Sequence, residues 1–209
     1  MDAMKEFPDK FFDLAVVDPP YGIGIDGQKE RYDFKNPKHS RKGHAQKEWD
    51  KQIPPGEYFN DLFRVSKNQI IWGANYFVEH LREGHKGWIV WDKGQHDLTM
   101  SDCELAYSSF DVPTRVFVLN RVALLQEGAI HPTQKPVTLY RWIYQHYAKN
   151  GYKILDTHLG SGSSRIAAYD ANLDFWGYEI DKTYFDLQEE RFARHTAQTS
   201  LFIDLKGDN

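Results

Sequence analysis

Short apolar runs alternate with amphipathic stretches along this chain of 209 residues. The first apolar run, at residues 11–17, predicts a buried strand, and the two prolines that follow end it. Downstream, the pattern predicts helices near 55–65 and 75–82 and strands near 68–72, 87–91, 103–108 and 114–119.

The last third of the chain has the clearest periodicity. A helix is predicted from Pro136 to about Lys149, because apolar side chains recur there on one face. After it come a strand at 152–156, a tight turn at 160–162, a helix at 163–171, a strand at 175–178 and a final helix at 182–197. Helices that alternate with apolar strands predict a single α/β domain over 1–209, in which helices flank a mostly parallel sheet.

The composition is that of a globular protein, with 41% hydrophobic and 27% charged residues. The mean hydropathy is −0.66, and no apolar run approaches the 18 residues that a membrane span needs. The opening residues have no signal-peptide core, and the single cysteine, Cys103, fits a reducing compartment. We therefore expect a cytoplasmic protein, and we predict no metal site.

Charge is distributed unevenly along the chain. The formal net charge is −4, yet residues 26–51 hold eight Lys and Arg against five acids. These residues belong to a long loop at 22–54 that shows no periodicity, and loops of such length are usually functional or disordered. A basic loop can contact nucleic-acid phosphates, but it can equally be a solvated surface loop.

A glycine-rich turn follows the strand that ends at Asp156. Gly160 and Gly162 let the backbone approach a ligand closely, and the next helix offers free N–H groups at its start. Glu179 ends the following strand, where an acid can accept both ribose hydroxyls of a nucleoside. Arg165 replaces the third glycine of the dinucleotide fingerprint, which disfavours NAD. A nucleoside site is the favoured interpretation, and an ordinary strand–turn–helix corner is the alternative.

The Asp18–Tyr21 motif, Asp-Pro-Pro-Tyr, ends the first strand. Two prolines stiffen the chain. Because proline has no backbone N–H, the Pro19 carbonyl is left free to face outward as an acceptor. The Asp18 carboxylate and the Pro19 carbonyl provide two acceptors that match the two hydrogens of an –NH2 group, while Tyr21 can stack on an aromatic base. The alternative is a strand-ending turn with an incidental acid.

The two motifs, with His131-Pro132-Thr133-Gln134-Lys135-Pro136 between them, resemble the DNA amino-methyltransferases. The chain is most similar to the permuted group, in which the Asp-Pro-Pro-Tyr motif precedes the glycine-rich motif. Segments 70–77 and 88–93 extend the resemblance more loosely. The resemblance implies a Rossmann-like fold, S-adenosylmethionine as cofactor, and double-stranded DNA as substrate, often within a restriction-modification system. It also implies direct attack by the amine of a flipped-out base.

The resemblance assigns roles by position. Asp18, Pro19, Pro20 and Tyr21 would form the catalytic loop, in which the Asp18 carboxylate and the Pro19 carbonyl orient the amine. Glu179 would hold the cofactor's ribose. The implied cofactor-binding residues are His131, Thr133, Lys135, Asp156, His158, Gly160, Ser161, Gly162, Ser163 and Glu179.

The sequence departs from the family in two places. His158 stands where the cofactor motif commonly has Phe. Only 17 residues precede Asp18, so the strand that usually ends in an acid near the cofactor's adenine is missing or replaced. There is also no room for a large target-recognition domain.

The target base and the class of activity leave alternatives. Asp at the first position of the motif favours adenine N6 over cytosine N4. Methylation of cytosine C5 is excluded, because Cys103 follows Asp102 rather than the proline that this chemistry's family uses. The competing interpretations are an RNA or protein-amide methyltransferase and a catalytically idle DNA-binding or clamp-associated module. DNA contacts are predicted in 26–54 and 93–130, with Arg115 and Arg121 as candidates.

The tail at 198–209 carries one further motif. Gln198–Phe202 resembles the short peptides that dock on bacterial sliding clamps, while packing of Leu201 and Phe202 onto the domain is the alternative. The sequence does not indicate the oligomeric state.

Overall fold

A computed structural model describes residues 2–25, 43, 47–81, 85–94, 101–120 and 129–207, with side chains as far as Gln198. The strands are β1 (Phe12–Val17), β2 (Ser66–Trp72), β3 (Trp88–Asp92), β4 (Cys103–Ser108), β5 (Arg115–Val118), β6 (Lys153–Asp156) and β7 (Asp174–Gly177). The helices are α1 (Asp2–Lys5), α2 (Gly56–Val65), α3 (Val137–Tyr147), α4 (Ser163–Asp170) and α5 (Lys182–Gly207), with short 3-10 turns at Ala74–Tyr76 and Val78–His80.

The seven strands form one sheet in the order β5-β3-β4-β2-β1-β6-β7. Strand β4 runs antiparallel to both of its neighbours, β2 and β3, and the other pairings are parallel. The carboxyl ends of the parallel strands therefore lie along one edge of the sheet, which we call the upper edge. Because β4 runs the other way, its first residues, Cys103 and Glu104, reach the same edge.

Strand β1 lies in the middle of the core. Leu14 and Val16 face a cluster that includes α3 and α4, whereas Ala15 and Val17 face a second cluster built on α2. Both faces of the strand are thus covered, and this explains why its sequence is continuously apolar rather than alternating. Asp18 directly follows the last residue of β1. Because this strand is packed on both faces, it holds Asp18 rigidly.

Two helix predictions are wrong in extent. The helix predicted at 75–82 is instead a pair of 3-10 turns, because Gly73 has a φ of 67° and Phe77 leaves helical geometry at φ −140° to bury its ring. Helix α5 continues to Gly207, ten residues beyond its predicted end, since no proline or glycine interrupts residues 182–206.

Several predictions fall where little is described. Most of the basic loop (26–42 and 44–46), Arg121, and the side chains of Ser200–Phe202 in the clamp-like motif lie outside the described residues. The structure places Arg115 at the first position of β5, opposite Ile89 and away from the upper edge. Arg115 is therefore poorly placed for contact with DNA bound at that edge.

The outer edge of β7 ends the sheet. Within the described ranges β6 is the strand that pairs with β7, and no strand pairs with its other edge. Among those same residues, no helix is both long and apolar enough to cross a membrane.

Candidate active site

A cavity of about 550 Å³ opens at the upper edge of the sheet. It lies between the ends of β1 and β2, the start of β4 and the segment that precedes α3. The Asp18–Tyr21 motif lines it together with Trp49, Tyr76, Lys93, Glu104 and residues 131–135.

The Asp18–Tyr21 motif is held in a defined geometry. The Tyr21 hydroxyl donates to Asp18 Oδ1 at 2.6 Å. Its ring lies directly over Gly73, where a Cβ atom would come within 2.0 Å of the ring. The Tyr76 ring stacks on the Tyr21 ring with centroids 5.0 Å apart and planes 12° apart. In the described part of the chain no donor bonds to the Pro19 carbonyl, which therefore keeps its acceptor capacity.

A buried ion-pair network adjoins Asp18. Lys135 Nζ lies 2.5 Å from Asp18 Oδ2, 3.0 Å from Glu104 Oε2 and 3.2 Å from the Tyr21 hydroxyl. On the far side of the network, Lys93 Nζ lies 2.8 Å from Glu104 Oε1. The resemblance implied that Lys135 binds the cofactor, and the structure shows it in contact with the Asp18–Tyr21 motif. Glu104 and Lys93 lie in the segment predicted to contact DNA, but they were not predicted as residues of the catalytic site.

Burial and charge oppose each other in this network. Burial raises the pKa of Asp18, and the Lys135 ammonium partly offsets that rise. Burial alone would lower the pKa of Lys135, but the carboxylates of Asp18 and Glu104 together raise it. The two lysines overcome burial at Glu104 and lower its pKa to about 2. Lys135 is thus charged and supports an ionised Asp18.

The glycine loop (157–162) joins β6 to α4. Gly160 and Gly162 have φ angles of 50° and 73°, which glycine adopts without strain. Asp156 does not point out of the loop: its carboxylate accepts the His158 N–H at 3.0 Å and the Ser164 hydroxyl. Burial raises the pKa of Asp156 to about 7. Its role in the structure is to shape the loop from beneath.

Glu179 also supports the glycine loop. One carboxylate oxygen accepts the Gly160 N–H and the other accepts the Asp181 N–H, each at 2.8 Å. The Ile180 backbone N–H also favours the ionised carboxylate, whose two oxygens offer about four lone-pair sites in all and so can accept a further donor. The next side chain, Ile180, is 97% exposed. A carboxylate with spare acceptor capacity therefore lies beside a bare apolar side chain.

The remaining predicted residues fall into two groups. Ser161 and Ser163 are tied to α5, because Arg191 donates to the Ser161 carbonyl and to the Ser163 hydroxyl, each at 2.9 Å. His158 packs edge-on against Tyr58, and burial lowers its pKa to about 3, so the ring is neutral at physiological pH.

His131 packs against the glycine loop and against α5. Its ring lies 3.8 Å from the place where a Gly160 Cβ would be, and 4.3 Å from the Tyr184 ring between centroids. Thr133 contacts the His131 ring through its hydroxyl at 3.2 Å. These two residues join the segment before α3 to the glycine loop.

Residues 47–50, at the end of the predicted long loop, contact three parts of the site. Lys47 Nζ lies 2.7 Å from Asp181, and the Trp49 ring packs on His131 with centroids 5.3 Å apart. Asp50 is completely buried, and its carboxylate accepts backbone N–H groups that follow the Asp18–Tyr21 motif. An acid inside a basic loop gave no local pattern that could have identified it.

The two predicted halves of the site are neighbours. Strands β1 and β6 pair in parallel, with Leu14 opposite Ile154 and Ala15 opposite Leu155. The Asp18–Tyr21 motif and the glycine loop therefore leave adjacent strands at the same edge.

Residues 108–190 match the family model described as DNA methylase. Over these residues the chain is similar to the DNA methylases. The matched part includes the segment before α3, the glycine loop and Glu179, and the Asp18–Tyr21 motif precedes it.

Known proteins resemble this chain over most of its length. The Type II methyltransferase M.HpaI of Haemophilus parainfluenzae is 22% identical over 233 residues, which cover 90% of this chain and 70% of that protein. The structure of the M1.HpyAVI–SAM complex superposes with a TM-score of 0.58 at 17% identity, covering 91% of this chain and 94% of the other.

A second similar structure is PvuII DNA methyltransferase, which is cytosine-N4-specific. It gives a TM-score of 0.58 at 10% identity, covering 90% of this chain and 82% of the other. These similarities confirm the predicted α/β methyltransferase fold with its mostly parallel sheet. Because a cytosine-N4 enzyme shares it, the fold does not distinguish the two target bases.

Proposed function

We propose that this protein transfers a methyl group from S-adenosylmethionine to the N6 amine of an adenine flipped out of double-stranded DNA. One observation chiefly supports the proposal. The two acceptors of the Asp18–Tyr21 motif and the glycine loop with Glu179 leave neighbouring strands at one edge of the sheet. An amine held by the first would lie close to a nucleoside cofactor held by the second.

The residues present fit an adenosyl cofactor. Glu179 has free lone pairs for ribose hydroxyls, and the exposed Ile180 side chain offers an apolar surface to an adenine ring. The M1.HpyAVI structure, solved as a SAM complex, shares the fold. When bound, S-adenosylmethionine would supply a methyl group that its sulfonium has already activated.

The part played by the protein is alignment and electrostatic stabilisation. The Asp18 carboxylate and the Pro19 carbonyl would accept the two amine hydrogens and thereby orient the nitrogen lone pair. Attack develops positive charge on that nitrogen, and the two acceptors stabilise the charge more than the neutral ground state. Lys135 would keep Asp18 ionised, as this role requires.

Adenine is favoured because Asp, rather than Ser, occupies the first position of the motif. Cytosine N4 is the second candidate, supported by the shared fold of PvuII DNA methyltransferase. The similarity to M.HpaI, a Type II methyltransferase, supports a place in restriction-modification. Sliding-clamp binding through Gln198–Phe202 remains a prediction.

The test is transfer of labelled methyl from S-adenosylmethionine to unmethylated bacterial DNA, followed by nucleoside analysis. We expect N6-methyladenine, and we expect Asp18→Ala to abolish transfer while Asp9→Ala, at an exposed side chain, retains it. N4-methylcytosine as product would overturn only the base assignment. DNA binding without any transfer would favour the idle-module interpretation.

A further inference from the structure

Asp50 lies outside every motif, yet its carboxylate is the most connected acceptor beside the Asp18–Tyr21 motif. Asp50 Oδ1 accepts the Tyr21 N–H at 2.7 Å and the Gly22 N–H at 2.9 Å, while Oδ2 accepts the Ile25 N–H at 2.9 Å. Its own carbonyl accepts the Gly24 N–H at 3.0 Å. We propose that Asp50 is a positioning residue that fixes the catalytic motif in its reactive geometry.

The contact reaches Asp18 through one residue. The backbone N–H of Tyr21 bonds to Asp50, and the hydroxyl of the same Tyr21 bonds to Asp18 at 2.6 Å. A shift of the Tyr21 backbone would therefore move the hydroxyl that holds the Asp18 carboxylate. Misplacement of a reacting group by about 1 Å can cost about 100-fold in rate.

The backbone around Asp50 leaves little room for an alternative arrangement. Gly22 has a φ of 71°, and a Cβ atom there would lie 3.2 Å from the Ile53 nitrogen. Asp50 is completely buried, and its removal would leave the N–H groups of Tyr21, Gly22 and Ile25 without the acceptor that fixes their positions. These N–H groups would then turn toward other acceptors, and the backbone of residues 21–25 would shift.

Asp50 acts on one half of the site only. Within the described residues its hydrogen bonds all run to residues 21–25, and none reaches the glycine loop or Glu179. A positioning role thus predicts a lower kcat together with an unchanged affinity for S-adenosylmethionine. A general role in folding would lower both.

The inference rests on the proposed function, and two variants test it. Asn in place of Asp50 can keep an oxygen toward Tyr21 and Gly22, but it turns an –NH2 group toward the Ile25 N–H. We expect Asp50→Asn to lower kcat about tenfold and Asp50→Ala about 100-fold. Calorimetric titration with S-adenosylmethionine should give the wild-type Kd for both variants.

Asp13→Asn is the matched control. Asp13, at the other end of β1, also accepts a backbone N–H, from Lys153 at 2.9 Å, and pairs with Lys67. It should retain the wild-type kcat. The inference is overturned if Asp50→Asn retains kcat, if kcat and cofactor affinity fall together, or if Asp50→Asn does not fold. A wild-type protein that transfers no methyl group would instead overturn the proposed function.

Discussion

Replacement of Lys135 by methionine tests the electrostatics of the site most directly. The substitution keeps much of the side-chain volume and removes the ammonium that lies 2.5 Å from Asp18 and 3.0 Å from Glu104. Two buried carboxylates then face each other, although Glu104 keeps its ion pair with Lys93.

Two magnitudes follow from this geometry. Removing one partner of a buried ion pair typically costs about 3–5 kcal/mol, and we expect the lower end because Lys93 remains. For a chain of this size that loss lowers Tm by roughly 6–12 °C. An opposite charge at such distances lowers a carboxyl pKa by about 1–3 units, so its loss should raise the pKa of Asp18 by about that amount.

The assay is the pH dependence of kcat. Asp18 must be ionised to hold the amine, so activity rises with pH through the pKa of Asp18. A higher pKa therefore moves the acid limb of the profile in Lys135→Met upward by about 1–3 pH units. Lys93→Met is the matched control, because it removes a cation from the same network without touching Asp18; its limb should move much less.

The reasoning fails if the acid limb of Lys135→Met coincides with that of the wild type, or if Lys93→Met moves it equally. Adding Glu104→Gln to Lys135→Met should recover part of the lost stability, because the second carboxylate charge is then absent. A double variant less stable than the single one would contradict the charge-based explanation.

Further predictions concern the supports of the site. Gly73→Ala should lower kcat at least tenfold, because its Cβ would collide with the Tyr21 ring. Gly151→Ala is the control: its φ is similar and the space around it is open, so it should affect stability alone. Equal kcat values for the two variants in steady-state assays would contradict this prediction. Burial raises the pKa of Asp156 to about 7 in the folded state from 3.8, so wild-type stability should fall as pH rises between about 4 and 7. Asp156→Asn should flatten this dependence in thermal melts; an unchanged slope would refute it. Arg191→Met should weaken S-adenosylmethionine binding in calorimetry with little change in kcat, because it loosens the glycine loop.

The sequence predicted those parts of the fold that depend on local patterns. The apolar run of β1, the start of α3 after Pro136 and the glycine turn before α4 each carry their signal within a few residues. The reversed direction of β4 was not predicted, because strand direction depends on the path of the chain between strands and leaves no mark on an apolar run.

The site was predicted to a similar degree. The predicted residues Asp18, Tyr21, Gly160, Gly162 and Glu179 follow strands that end at the upper edge of the sheet. Asp50, Lys93 and Glu104 escaped notice because each functions through a contact with a residue distant in sequence. Their side chains look like ordinary surface charges until the fold shows them to be buried or paired.

The reversed strand β4 has a practical consequence. By starting at the upper edge, it brings Cys103 into the lining of the cavity, partly accessible to solvent. Cys103 is the chain's single cysteine, so a thiol-reactive fluorophore would attach at one defined point beside the Asp18–Tyr21 motif without any engineering. Its emission, or the rate at which the thiol is labelled, could then report the arrival of DNA and cofactor in real time.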